Sequence, residues 1–203
     1  MSSEKMTKIV IVVGIPGVGK TTVLKNLVEE ASKEGIRVRV VNFGDYMFKE
    51  ASEKGLIKHR DELRKLPLHV QIKLQENAAK RIREDAEKGK QDVFIVDTHS
   101  LVHTVTGFWP GLPLHVITNI RPHVIFVIEA LPEEIFKRRL KDMGIRFRGE
   151  ERTLEEIREF MAMARNAALS SAVLTGSAVK IVLNREGKVK EAVKEIINTL
   201  KNI

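Results

Sequence analysis

An apolar run of branched residues ends abruptly in glycine. Residues 8–22 read KIVIVVGIPGVGKTT, and the pattern turns helical immediately afterwards. Gly14, Gly19, Lys20 and Thr21 satisfy the spacing G-x-x-x-x-G-K-[ST], with a strand before it and a helix after it, which is the context the motif requires. Glycines let the main chain take left-handed turns and approach an anion without a Cβ in the way. Successive N–H groups can then point inward, at the positive end of the following helix. Gly14, Ile15, Pro16, Gly17, Val18, Gly19, Lys20, Thr21 and Thr22 are therefore expected to wrap a phosphate chain. Lys20 is expected to reach the terminal phosphates, and Thr21 to hold Mg²⁺ through its hydroxyl. Pro16 has no N–H to offer and stiffens the loop.

The rest of the chain repeats the strand-then-helix alternation. KIVIVV (8–13), RVRVVNF (37–43), DVFIVDT (92–98), HVIFVIEA (123–130) and VKIVLN (179–184) read as strands. Helical patterns such as 21–34 and 188–203 separate and close them. Nearly continuous apolar strands alternating with helices imply a parallel sheet covered on both faces, an α/β fold. The 203 residues suit one domain. Its core is expected at 1–43, 90–131 and 153–203, with insertions at 44–89 and 132–152.

Composition narrows the class. The chain has no cysteine, which removes disulfides and thiolate metal sites and fits a reducing compartment. Its six histidines show no paired metal spacing, so zinc is not expected. No apolar run approaches the ~20 residues that span a bilayer, and MSSEKMTK lacks the apolar core of an export signal. A cytoplasmic protein is expected. The net charge of +8 attracts anions, nucleotides and RNA among them.

Asp97 closes the third strand, where ligands collect in open α/β sheets, and can hold a metal's water shell. A guanine switch would carry Asn-Lys-x-Asp after a late strand; here Asn184 is followed by Arg185. Arg138, Arg139, Arg146, Arg148 and Arg152 crowd one stretch, and Arg165 follows on the next helix. Planar guanidinium groups suit phosphate oxygens, and phosphoryl transfer needs mainly positioning and charge. Arg60 and Arg64, four apart, read as one face of a helical turn that grips a monophosphate, with Asp45 nearby. His99, beside Asp97, reads as a supporting histidine rather than a base.

These segments together resemble the archaeal-type adenylate kinases. The resemblance rests on GIPGVGKTT (14–22), VNFGDYMF (41–48), HRDELRKL (59–66), VDTHS (96–100), PGLPLHVI (110–117), the arginine spacing from Arg138 to Arg148, and AVLTGSAVKIV (172–182). It implies a P-loop nucleoside monophosphate kinase fold: a five-stranded parallel sheet flanked by helices, a monophosphate-binding insertion and a lid. It implies ATP + AMP ⇌ 2 ADP with Mg²⁺, with no membrane partner and with one or three chains in the assembly, the trimer being favoured. By the resemblance Lys20, Arg138, Arg146, Arg148 and Arg165 are catalytic. Asp45, Arg60, Arg64 and Asp97 lie on the AMP side, and Asp97 reaches the metal through water. The chain departs from the family pattern at Phe108-Trp109, where Tyr-Leu is common, and at Phe147, where Asn is common between the lid arginines. Phe108 and Trp109 could stack an adenine or anchor a loop to the core. The alternatives are a kinase for another monophosphate and an RNA-associated ATPase. The second lacks the interleaved aromatic and basic residues that base stacking needs.

Overall fold

The computed structural model of the chain describes residues 6–104, 107–142 and 153–203. Five strands form one parallel sheet: β1 (Lys8–Val13), β2 (Val38–Asn42), β3 (Val93–Asp97), β6 (Val124–Glu129) and β7 (Ala178–Leu183). They lie in the order β2-β3-β1-β6-β7, within a residue or two of the expected segments. Between β3 and β6 the chain also forms an antiparallel hairpin, β4 (Leu101–Thr104) and β5 (Gly107–Pro110), which the sequence reading did not anticipate.

The central strands are apolar throughout because successive side chains serve opposite faces. Val10 and Val12 pack with α1 (Lys20–Lys33), α7 (Val189–Lys201), Ile135 and the first half of α6 (Leu154–Val173). Ile9, Ile11 and Val13 pack the other way, against the second half of α3 (Leu68–Lys88), α4 (Leu114–Ile120) and Ala168 and Ala172 of α6. Helix α6 therefore crosses the edge of the sheet and serves both faces. Thr153 starts it: its hydroxyl accepts from the Glu156 N–H at 3.1 Å while the Glu156 carboxylate accepts from the Thr153 N–H at 2.9 Å.

Residues 44–89 divide between two cores. Ala51 of α2 (Phe43–Glu53), Ile57, Leu63 and Leu74 make a small cluster of their own. Ala78, Ala79, Ile82 and Ala86 of α3 instead pack against the sheet. Residues Arg60–Lys65 form a 3₁₀ helix. In the other expected insertion, 132–142 is α5 (Pro132–Asp142), with Ile135 buried in the main core.

The strand order sets the functional edge. At the C-terminal ends stand, in spatial order, Asn42, Asp97, the loop opening at Gly14, Glu129 and Asn184 just beyond β7. The register places Asn42 and Val12 on either side of Asp97.

Candidate active site

The loop from Gly14 to Gly19 joins β1 to α1. Ile15 and Val18 are buried and anchor it to the core. A Cβ on Gly14 would lie 2.7 Å from the Ile128 carbonyl oxygen, so the turn can be this close to β6 only as glycine. Gly17 and Gly19 have φ of +95° and +83°, which side chains disfavour.

Four side chains hold the loop's carbonyls. Arg139, buried, donates from Nε and Nη2 to the Pro16 oxygen at 3.0 and 2.8 Å. Arg138 Nη1 donates to the Gly17 oxygen at 3.3 Å. Asn184 Nδ2, also buried, donates to the Val18 oxygen at 2.8 Å. His99 Nδ1 lies 2.9 Å from the Gly14 oxygen and donates to it as the Nδ1–H tautomer. In a planar trans peptide the carbonyl and the next N–H point opposite ways. Tying back the carbonyls of 14, 16 and 18 therefore turns the N–H groups of 15, 17 and 19 to the other side, as a nest requires, while the Val18 N–H closes a turn on the Ile15 oxygen at 3.4 Å. None of the four carried this assignment from sequence, where Arg138 was read as a catalytic flap arginine. The "LN" at the end of β7 was the available signal for Asn184. Arg139 was grouped with arginines of a flap; the structure puts it behind the loop instead.

Lys20 opens α1 and forms an ion pair with Asp97. Its ammonium also donates to the Thr98 carbonyl at 2.9 Å. The other Asp97 oxygen accepts from Asn42 Nδ2 at 3.2 Å. Asn42 Oδ1 in turn accepts from Arg60 Nη2 at 2.7 Å, and Arg60 pairs with Asp45. Lys20, Asp97, Arg60 and Asp45 are thus joined through Asn42, a residue that sequence reasoning did not single out.

Arg60 and Arg64 do not share a face. The expectation assumed an α-helical turn, but the segment is 3₁₀, in which residues three apart eclipse and residues four apart point about 120° away from each other. Arg60 turns to Asn42 and Asp45. Arg64 is exposed, and its charge adds the last and smallest part to the lowering of the His99 pKa. His99 is pushed down to about 4, chiefly by burial, with the Lys20 charge next; the Gly14 carbonyl and Asp97 oppose the shift. The imidazole is neutral at pH 7 and is a poor proton acceptor there.

On the other flank, Arg165 of α6 grips both oxygens of Glu129, Nε to Oε1 at 2.7 Å and Nη2 to Oε2 at 2.8 Å. Arg138 also reaches Glu134 at 3.3 Å and Glu186 at 3.6 Å. Arg146 and Arg148, with Phe147 between them, lie outside the described residues. Phe108 anchors the hairpin: its ring sits 4.2 Å from His103 and 5.7 Å from Phe160, centroid to centroid. Thr21 and Thr22 are exposed on the first turn of α1. The oxygen donors Thr21 and Asp97 suit a hard cation. Among the described residues no group of three acids or histidines could cage one. A magnesium ion here would take most of its ligands from phosphate and water, its usual habit.

Comparison with known proteins decides the family. Residues 13–158 match the family described as AAA domain. The chain is 48% identical to an adenylate kinase of Methanocaldococcus jannaschii over 96% of its own length and 98% of the relative's. It is 45% identical to an adenylate kinase of Sulfurisphaera tokodaii, over 95% and 99%. The chain belongs to the adenylate kinase family. The adenylate kinase fold is shared more widely: a shikimate kinase from Acinetobacter baumannii superposes with a TM-score of 0.60 at 10% identity, over 98% of this chain and 95% of that one. A second, from Bacteroides thetaiotaomicron, gives 0.57 at 14%, over 96% and 98%. Those two likenesses carry the fold alone. Adenylate kinase membership makes the chain a nucleotide-binding transferase.

Proposed function

We propose that the chain catalyses the reversible transfer ATP + AMP ⇌ 2 ADP. The observation that carries this is its near full-length similarity, at 45–48% identity, to curated adenylate kinases; the site geometry supports the roles given to its residues below. The triphosphate lies on the N–H nest, with Lys20 at its terminal phosphates. AMP approaches from the Asp97, Arg60, Arg64 and Asp45 side. An oxygen of the AMP phosphate attacks the γ-phosphorus; the bond to the bridging oxygen of ATP breaks, and its electrons leave with ADP. A phosphate oxygen is already anionic at neutral pH, since the second pKa is near ~6. No base is needed, which fits a neutral His99. Lys20, Arg138 and Arg165, with Arg146 and Arg148, stabilise the spreading negative charge. Mg²⁺, held by the Thr21 hydroxyl and through water by Asp97, would neutralise charge between phosphate oxygens.

We read residues 44–89 as the monophosphate insertion and 132–152 as the lid, although α5 and the second half of α3 pack on the core. No described helix is long and apolar enough to cross a membrane; cytoplasmic work in an assembly of three chains is part of this proposal. The test is ADP formation from ATP with AMP, GMP, CMP or UMP. AMP should be much the best acceptor, and Lys20→Met should lower kcat at least about a hundredfold with an unchanged circular dichroism spectrum. Equal use of another monophosphate, or phosphate release without any acceptor but with RNA, would point to the alternatives.

A further inference from the structure

We propose that Asn42 is a positioning residue that couples the two substrate sides, holding the Asp97–Lys20 pair with one end of its amide and aiming Arg60 with the other. The inference deepens the adenylate kinase reading and rests on it.

The backbone makes the placement. Asn42 is the last residue of β2 and faces Asp97 in the parallel register, while Asp97 faces Val12 of β1 on its other side. Only two strand spacings therefore separate Asn42 from the strand that leads into the phosphate loop. Asn42 is also the residue before α2, whose second and third residues are Gly44 and Asp45. It thus stands where the sheet hands the chain to the acceptor-side segment.

The amide suits this position where its near relatives in shape do not. Asp97 offers only acceptors, and Arg60 offers only donors. Asn42 presents Nδ2 to the first at 3.2 Å and Oδ1 to the second at 2.7 Å. Flipping the amide would set an NH₂ against a guanidinium and an oxygen against a carboxylate. The orientation is consequently fixed by both neighbours at once. An aspartate here would keep Arg60 but confront Asp97 with a like charge. A leucine of similar volume would release both. Gly44 makes room for the arrangement: a Cβ there would lie 2.4 Å from Arg60 Nη2 and 3.1 Å from Asn42 Oδ1.

Asp97 pairs with Lys20, so the amide acts on the donor side through Asp97 and on the acceptor side through Arg60. Substrates on the two sides then share one rigid connector, and loss of it should appear in two separable ways. Lys20 freed from its aligned partner harms the transition state and lowers kcat. Arg60 freed from its aim weakens AMP and raises its KM. ATP, held largely by main-chain N–H groups of the loop, should keep its KM.

The experiment measures steady-state ADP formation for Asn42→Leu, Asn42→Asp, Arg60→Ala and the double variant Asn42→Leu/Arg60→Ala, beside the unaltered protein. For Asn42→Leu we expect kcat down by about tenfold or more and KM for AMP up by about tenfold, the scale of losing hydrogen bonds to charged partners. KM for ATP should stay within about twofold. The Arg60→Ala effect on KM for AMP should shrink in the Asn42→Leu background. Asn42→Asp, which keeps the size and the hold on Arg60, should lower kcat while sparing KM for AMP; it serves as the deciding variant if Asn42→Leu does not fold. Kinetics of the asparagine variants within about twofold of the parent, or equal loss for both substrates with additive Arg60 effects, would overturn the proposal. Failure of the unaltered protein to make ADP would instead overturn the adenylate kinase reading, so the two failures are distinguishable.

Discussion

His99 should make the fold sensitive to acid in a way that one substitution can remove. Its imidazole sits behind the phosphate loop on the Gly14 carbonyl and is lowered from 6.5 to about 4 by burial first and the Lys20 charge second. The unfolded chain takes up a proton near 6.5, whereas the folded chain resists until about 4. As pH falls through that window the unfolded state alone gains protons, so stability falls; below about 4 the two states are protonated alike and the loss stops growing. Between pH 7 and pH 4.5 the penalty from this one histidine is about 2 kcal/mol, from 1.36 kcal/mol per unit of separation. Asn in its place can still donate to the Gly14 oxygen but cannot titrate. Urea unfolding at pH 7 and pH 4.5, at one ionic strength, should show the parent losing about 2 kcal/mol more than His99→Asn. The His99 imidazole resonances of the folded protein should titrate near 4. An equal loss in both proteins, or titration of His99 near 6.5, would refute the burial argument and reopen a proton-accepting role at neutral pH.

Two further substitutions probe the supports of the site. Arg139→Met should destabilise the protein by about 2 kcal/mol, because a charged donor pair to Pro16 is lost, and should raise the KM for ATP as the loop loosens; unchanged KM and melting temperature would show that the Pro16 carbonyl needs no anchor. Gly111→Ala should destabilise by more than about 3 kcal/mol, since a Cβ there would lie 1.9 Å from the His99 carbonyl oxygen; a thermal melt within a degree or two of the parent would show that the 110–117 segment can move aside.

The five core strands were legible because each had to be apolar on both sides. Val10 and Ile11 are both fully buried, yet against different helices. That demand writes an uninterrupted branched run into the chain. Strands β4 and β5 lie outside the five-stranded sheet, and their residues are half-buried or exposed, so no such run marks them. The helical turn at Arg60–Lys65 shows a different limit. Six residues ahead of Pro67 make too short a segment for its charge pattern to tell 3₁₀ from α, and the difference of pitch moves Arg64 off the face of Arg60. The turn between β1 and α1 was legible because its backbone demands glycine at set places. Its supports were not, because Arg139, His99 and Asn184 come from distant segments and meet the loop only through the sheet order.

The same structure shows that each described cation of the proposed site except Arg64 already holds a carboxylate. Lys20 is paired with Asp97, Arg60 with Asp45, Arg138 with Glu134 and Glu186, and Arg165 with Glu129. A phosphate oxygen that takes one of these groups must displace a carboxylate or share the cation with it. Nucleotide binding at such a site is an exchange of ion pairs, and its net strength is smaller than the count of cations suggests. The consequence favours turnover. Carboxylates keep the guanidinium groups aimed without committing them, so stabilisation can be greatest where negative charge is most spread, on the phosphoryl group in transit. Glu129 carries this furthest: it is buried at the end of β6, and both of its oxygens hold Arg165. Of the acids that neighbour these arginines in the chain, Glu134 stands one helical turn before Arg138 and helps to hold it.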